Sequence, residues 1–198
     1  MIHVLYKAVK KTILKVGACI GLKRYSRFRY ILDDNITVGR FTKIDSQSKV
    51  GDFTYIGKNC DITKAIIGRY CSIANNVSIG PGEHDINRIS TSSLLYKDGF
   101  DDLTHENCII EDDVWIGVDS IIRRGVTVGT GSVVAANSFV NKDIPPFAVV
   151  GGNPARIIRY RLRDSASRDL VIKSKWWELP PEDARKVVLI MEEKDEKS

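Results

Sequence analysis

The chain is poor in the residues that build metal and redox sites. It has three histidines and four cysteines in 198 residues, and no two cysteines form a CxxC pair. That excludes a zinc ribbon and a dithiol redox motif. Only His84 lies near a repeated segment, so three histidines converging on zinc are excluded as well, and no metal is expected. No serine stands in a GxSxG turn and no cysteine adjoins a histidine, so no covalent acyl-enzyme is implied. No apolar run is long enough to span a membrane. Lysines break the N-terminal apolar stretch and no clean cleavage site follows it, which makes a secretory leader a poor reading. The chain therefore reads as cytoplasmic and reduced. Its formal charge is +5, but no recognised module accompanies the basic run, so nucleic acid is not an expected partner.

What the chain does have is a six-residue period. From Ile56 it runs IGKNCD, ITKAI, IGRYCS, IANNVS and IGPGEH. From Ile110 it runs IEDDVW, IGVDSI, IRRGVT, VGTGSV, VAANSF and VNKDIP. A short fixed period means a parallel β-helix in which each coil stacks on the last. Two positions per unit must face inward: the leading Ile or Val, and the fifth residue. The fifth residues are Cys60, Cys71, Val77, Val114, Ser120, Val126, Ser132 and Ser138. Gly at position two is expected to supply a corner with φ > 0. Coil building begins irregularly near Ile36. Residues 83–108 abandon the period, and an excursion of that length in a solenoid points to function.

The pattern resembles the hexapeptide-repeat, left-handed β-helix acyltransferases, over roughly residues 35–160. Within them it is most similar to the xenobiotic acetyltransferase branch, which includes streptogramin and chloramphenicol acetyltransferases and polysaccharide O-acetyltransferases. Four features carry this: the five-residue unit ITKAI, the departure PGEHDINRIST, the resumption DDVWIG, and the tail KDIPPFAVVGGNPARIIRYR followed by SKWWELPPEDARKV. The fold implied is mainly β: a left-handed parallel β-helix with an excursion loop, an N-terminal helix and a C-terminal helical cap.

His84 stands where the repeat becomes a loop. A neutral imidazole can take a hydroxyl proton, and an alcohol attacks a thioester poorly until that proton has an acceptor. The resemblance implies the same role, general base in direct transfer from acetyl-CoA. It also implies donor contacts at Trp115, Val118, Ala136, Asn141, Lys142, Arg156 and Arg159, with a backbone N–H of Gly117 or Val118 as oxyanion donor. Acceptor contacts are expected from Arg88, Ser90, Thr91 and Tyr96, and from Asn76 one coil earlier, close below His84. A homotrimer with sites between subunits follows from the resemblance. The preferred acceptor is a sugar hydroxyl of a surface polysaccharide or its precursor. The alternatives are chloramphenicol or a streptogramin, an amino sugar, or a catalytically dead scaffold.

Three segments are expected: 1–34 as an N-terminal appendage, 35–154 as the β-helix, and 155–198 as a bridge and helical cap. In the appendage, Ile2, Leu5, Val9, Ile13, Val16 and Ile20 recur at helical spacing, with Lys7, Lys10, Lys11 and Lys15 among the polar positions. It reads as a helix packed on the coil or a neighbouring subunit, or as a basic amphipathic helix on an anionic membrane face. Trp176 and Trp177 are expected to plug the end of the coil. Pro180 and Pro181 open the last helix, with Glu182 and Asp183 in its first turn.

Overall fold

The inward positions decide the architecture. In the computed structural model, which describes residues 35–162 and 164–195, every leading residue from Ile56 to Val140 is buried. So are all eight fifth-position residues, Cys60 through Ser138. Each leading Ile or Val removes enough apolar surface from water to contribute roughly 1.5–3 kcal/mol. The three inward serines keep their hydroxyls satisfied. Ser120 and Ser138 donate to the Ala135 carbonyl at 3.0 and 2.6 Å, and Ser132 donates to Pro145 at 2.8 Å.

The units stack into three parallel sheets. The first carries Thr37–Val38, Tyr55–Ile56, Ser72–Ile73, Trp115–Ile116, Val133–Val134 and Ala148–Gly151, with Arg156–Tyr160 folded back antiparallel on its edge. The second runs from Lys43–Ile44 through Asp61–Ile62, Ser78–Ile79 and Ile121–Ile122 to Phe139–Val140. The third holds Lys49–Val50, Ala65–Ile67, Cys108–Ile110 and Thr127–Val128. Thr37 pairs with Tyr55, and Trp115 with Val133, each eighteen residues on. Tyr55 pairs with Ser72, one residue sooner. The five-residue unit ITKAI absorbs that shortening, with Ala65 buried in place of a fifth residue.

Several expectations are corrected here. The early turns are not irregular: VGRFTK, IDSQSK and VGDFTY keep the period, with Thr42 and Thr54 buried at position five. The Thr54 hydroxyl donates to Gly68 O at 2.9 Å and accepts from the Cys71 N–H at 3.1 Å, so a polar residue serves inside. Positive φ falls mostly at position four, at Asn59, Asn76, Asp119 and Asn137, not at the second-position glycine. Gly117 is needed for close approach instead, since a Cβ there would meet Ala136 N at 2.5 Å. Gly80 is the exception, with φ +63 where the excursion departs. The tryptophans do not plug the coil's end. Trp176 packs on Tyr70, 5.1 Å between ring centroids, and the Tyr70 hydroxyl donates to Leu179 O at 2.7 Å, so the cap lies along the coil's flank.

Helix α1 (Gly99–Leu103) lies in the excursion, and α2 (Ser165–Ser174) and α3 (Pro181–Asp195) form the cap. Glu182 and Asp183 occupy the first turn of α3, as the sequence indicates. The expected N-terminal helix lies outside the described residues. Among the described residues no helix is long and apolar enough to cross a membrane, and no group of three His, Cys, Asp or Glu side chains is placed to hold a metal.

Cys108, without an assignment in the sequence, pairs with Ala65 and is fully buried. Burial pushes the thiols of Cys60, Cys71 and Cys108 up, that of Cys71 to about 12. A thiol is reactive as its thiolate. With Cys19 replaced by serine, a thiol reagent at pH 8 is expected to label almost nothing in the native protein and all three remaining cysteines after denaturation. Rapid native labelling would contradict the inward placement.

Candidate active site

The excursion leaves at the corner between the second and third sheets and returns there, and its roots are held by two adjacent arginines one coil above. Arg123 Nε donates to both Glu83 oxygens at 2.8 and 3.1 Å, and its Nη2 to Oε2 at 2.7 Å. Arg124 is buried, and its Nη1 donates to Thr63 O at 3.0 Å and to Glu106 O at 2.8 Å. Glu83 precedes His84 and Glu106 lies at the far end of the loop, so the pair grips both ends. Across the base of the loop, Glu83 N–H donates to Leu103 O at 2.9 Å. Neither arginine was singled out by the repeat pattern. A doubled cation in a unit beside an acidic loop was the available signal.

His84 is exposed, and its Nδ1 contacts the Thr91 carbonyl. A carbonyl can only accept, so Nδ1 donates to it, and in the neutral imidazole Nε2 then keeps the lone pair. That is the tautomer a general base requires. The orienting group is thus a backbone carbonyl seven residues on, and Glu83 is occupied by Arg123.

The side chains expected to touch an acceptor are largely used in holding this loop. The Tyr96 hydroxyl accepts from the Asp85 N–H at 3.0 Å, and Tyr96 is 9% exposed. Arg88 lies over the Tyr96 ring at 4.5 Å and donates to Leu95 O at 3.1 Å. Ser90 Oγ accepts from the Ser92 N–H at 3.2 Å. Thr91 contributes its carbonyl, as above. The outer surface of the loop exposes four large apolar side chains, Ile86, Ile89, Leu94 and Leu95, among polar and charged ones. Asn76 does not lie beneath His84. It stands at the corner between the first and second sheets, accepting from Asn59 at 3.1 Å and donating to Asp119 at 2.8 Å. It precedes His84 by only eight residues, so it belongs to the same coil, one corner before the excursion opens, and not to the coil beneath.

The expected donor residues fall into three places. Trp115 and Arg159 share a groove of about 630 Å³ on the outer face of the first sheet. Arg156 stands on the same antiparallel strand. Val118 and Ala136 stack at the corner between the first and second sheets, both exposed. Asn141 and Lys142 lie at the excursion's corner, one coil above Arg123. Among the described residues, no hydrogen bond or ion pair of the excursion reaches Trp115, Val118 or Ala136. The Gly117 N–H is committed to Val134 O at 2.8 Å, which removes it as an oxyanion donor. Val118 remains, with its carbonyl accepting from Asn137 N–H and its own N–H without a partner among the described residues.

Stacked hexapeptide coils, interrupted once by a loop that carries an exposed histidine, define a β-solenoid scaffold. A family model described as the hexapeptide repeat of succinyl-transferase matches residues 108–142. The chain is 30% identical over 165 residues to a chloramphenicol acetyltransferase of Klebsiella aerogenes, covering 74% of this chain and 77% of the relative. Among solved structures, a maltose O-acetyltransferase from Clostridium difficile is 30% identical with a TM-score of 0.55, covering 67% of this chain and 70% of that one. A galactoside acetyltransferase in complex with coenzyme A is 27% identical with a TM-score of 0.50, covering 64% of each. The chain belongs to the hexapeptide-repeat acetyltransferases, and it is an acyltransferase.

Replacing Arg123 by alanine is expected to lower kcat about tenfold, with KM for the acyl donor unchanged, because a bidentate pair fixes the residue next to His84. Arg123→Lys restores part of the loss. An equal loss in both parameters in steady-state kinetics would contradict this.

Proposed function

We propose that the protein transfers an acetyl group from acetyl-CoA to a sugar hydroxyl of a surface polysaccharide or its precursor, with His84 as general base. The observation carrying this is the Thr91 carbonyl on His84 Nδ1, which leaves Nε2 as the proton acceptor. The hydroxyl proton passes to Nε2 as its oxygen bonds to the thioester carbon. The tetrahedral oxyanion collapses, the carbon–sulfur bond breaks, and the imidazolium returns the proton to the departing thiolate. The Val118 N–H is the oxyanion donor we favour.

The complex of galactoside acetyltransferase with coenzyme A supports acetyl-CoA as donor. Trp115, Val118, Ala136, Asn141, Lys142, Arg156 and Arg159 are the proposed donor contacts. Asn141 Oδ1 is buried with no partner among the described residues. The spread of these groups over three regions of one protomer favours a homotrimer in which neighbouring subunits bring them to His84. The acceptor pocket then draws on the excursion around Arg88, Ser90, Thr91 and Tyr96 and on surfaces of a neighbour. We place the reaction in the cytoplasm. Maltose and galactoside enzymes among the structural neighbours support a sugar acceptor. A second reading, acetylation of an antibiotic hydroxyl, is favoured by the chloramphenicol acetyltransferase relative and by the four exposed apolar side chains of the loop.

Thiol release from acetyl-CoA by the purified protein tests this, with nucleotide sugars, oligosaccharides, chloramphenicol and streptogramin A compounds as acceptors. Histidine-dependent release with saccharides supports the first reading, and release with the antibiotics alone transfers it to the second. No binding of acetyl-CoA at all would overturn both.

A further inference from the structure

The excursion has almost no interior. Of the described residues 81–107, only Tyr96 and Thr104 are buried. Thr104 turns its hydroxyl to the Phe100 carbonyl at the end of α1, at 2.6 Å. Tyr96 is thus the one aromatic the loop buries. The apolar residues around it stay out: Leu94 and Leu95 are 91% and 64% exposed, Ile86 and Ile89 83% and 111%. Hydrophobicity alone does not select a tyrosine over four aliphatic neighbours.

What Tyr96 touches accounts for the choice. Its ring lies beside the His84 imidazole, 6.1 Å between centroids and tilted by 55°, within the range of favourable aromatic pairs. Its hydroxyl accepts from the N–H of Asp85, the residue after the histidine, at 3.0 Å. One side chain therefore holds both the imidazole and the backbone that carries it. The phenol is itself steadied. The Arg88 guanidinium lies over its ring at 4.5 Å and donates to the carbonyl of Leu95, the preceding residue, at 3.1 Å.

The Thr91 carbonyl fixes one atom of the imidazole, Nδ1. A single hydrogen bond leaves the ring free to rock about the N···O line. It also leaves the backbone at Asp85 free to carry the ring away. A second ring beside the imidazole and a tie on the next N–H restrain both motions. A base acts well only with its lone pair held at the hydroxyl, and a misplacement of about 1 Å can cost on the order of 10²-fold in rate.

We propose that Tyr96 is a positioning residue for His84, acting through the imidazole and the Asp85 N–H and not by touching the acceptor. The proposal rests on the reading of His84 as general base. Arg88 has the same role one step removed, through the Tyr96 ring.

The tautomer of His84 tests this without an acceptor. Long-range proton–nitrogen spectra of protein labelled with nitrogen-15 histidine separate the Nδ1–H and Nε2–H forms, and loss of a signal in His84→Gln assigns it. At about pH 8.5, where an ordinary imidazole is neutral, the wild type is expected to be roughly four-fifths Nδ1–H. Tyr96→Leu should bring that fraction below about half, with Tyr96→Phe, which keeps the ring, in between. Leu95→Ala, at an exposed neighbour, is the control and should match the wild type. In the thiol-release assay Tyr96→Leu should lower kcat about tenfold with KM for acetyl-CoA unchanged. A wild-type tautomer in Tyr96→Leu would overturn the proposal, and so would a wild type that is mostly Nε2–H. An equal shift in Leu95→Ala would mean that any change loosens the loop, which also overturns it. A raised KM for the acceptor with kcat intact would make Tyr96 an acceptor contact instead. Normal turnover in His84→Asn is the separate failure: it would overturn the reading of His84, and the catalytic meaning of Tyr96 with it, even where the tautomer shifts as expected.

Discussion

His84→Asn is expected to lower kcat by about 10²–10⁴-fold, the range for removal of a positioned general base, while the Kd for acetyl-CoA stays within about twofold. Asparagine is the informative substitution. Its side-chain NH2 can still donate to the Thr91 carbonyl, so the loop contact made by Nδ1 has a replacement. What it lacks is the basic lone pair of Nε2. A large loss in His84→Asn therefore reports on chemistry, whereas a loss confined to His84→Ala would report on loop structure. The partner of the imidazole is a backbone group, so Thr91→Ala should leave turnover at saturating acceptor near wild type, with its effect confined to KM for the acceptor. If Thr91→Ala were as damaging as His84→Asn, the threonine hydroxyl would have a role that the geometry does not assign to it. Single-turnover acetyl transfer with a productive acceptor checks all three variants, with calorimetric binding of acetyl-CoA as the control. Retention of turnover in His84→Asn would remove the histidine from the mechanism.

The repeat was legible because each inward position obeys one simple rule, burial of a small or branched side chain at a fixed spacing. Ile116 and Ser132 follow that rule equally well, though one is apolar and the other must donate its hydroxyl to a carbonyl. The first coils were less legible because their inward residues are Thr42 and Thr54, polar types that pass for surface until their hydroxyl partners are known. The place of His84 on an exposed loop was legible through the loss of period around it. Its support was not: Arg123 meets Glu83 forty positions away, across a loop whose path no local pattern encodes. Asn76 was misplaced for a simpler reason: it stands only eight residues before His84, one corner along the same coil, whereas a position directly beneath is eighteen residues away. Tyr96 drew notice as a hydrogen-bonding side chain and is used internally, since an excursion without a core of its own needs an anchor.

Gly117→Ala is expected to destabilise the fold by about 1–3 kcal/mol, the cost of forcing a methyl group into packed structure. For a chain of this size that is roughly a 3–10 °C fall in Tm. The new Cβ would sit 2.5 Å from Ala136 N and 2.9 Å from Ala135 C, and backbone cannot swing aside as a side chain can. Alanine is not barred from this column as such. Ala74 lies directly beneath Gly117, and Ala135 directly beneath Gly151, following the strand register. A glycine in the coil above is not what makes room, since a Cβ on Gly39 or Gly51 would still meet the backbone of Gly57 at 2.5 Å or of Gly68 at 2.7 Å. Gly117 lies beneath Ala135, and removing the Ala135 methyl leaves the backbone clash in place, so the double variant Gly117→Ala, Ala135→Gly is expected to recover little of the lost stability. Gly82→Ala in the excursion is the control. Its Cβ would meet the Leu103 side chain at 3.3 Å, and a shift of well under 2 °C is expected. Gly117 also sits between Trp115 and Val118, two of the proposed donor contacts. Lifting the coil above it should therefore raise KM for acetyl-CoA severalfold in the single variant at temperatures where the fold persists. Substantial recovery in the double variant would mean that the Ala135 methyl, and not the backbone contact, sets the cost.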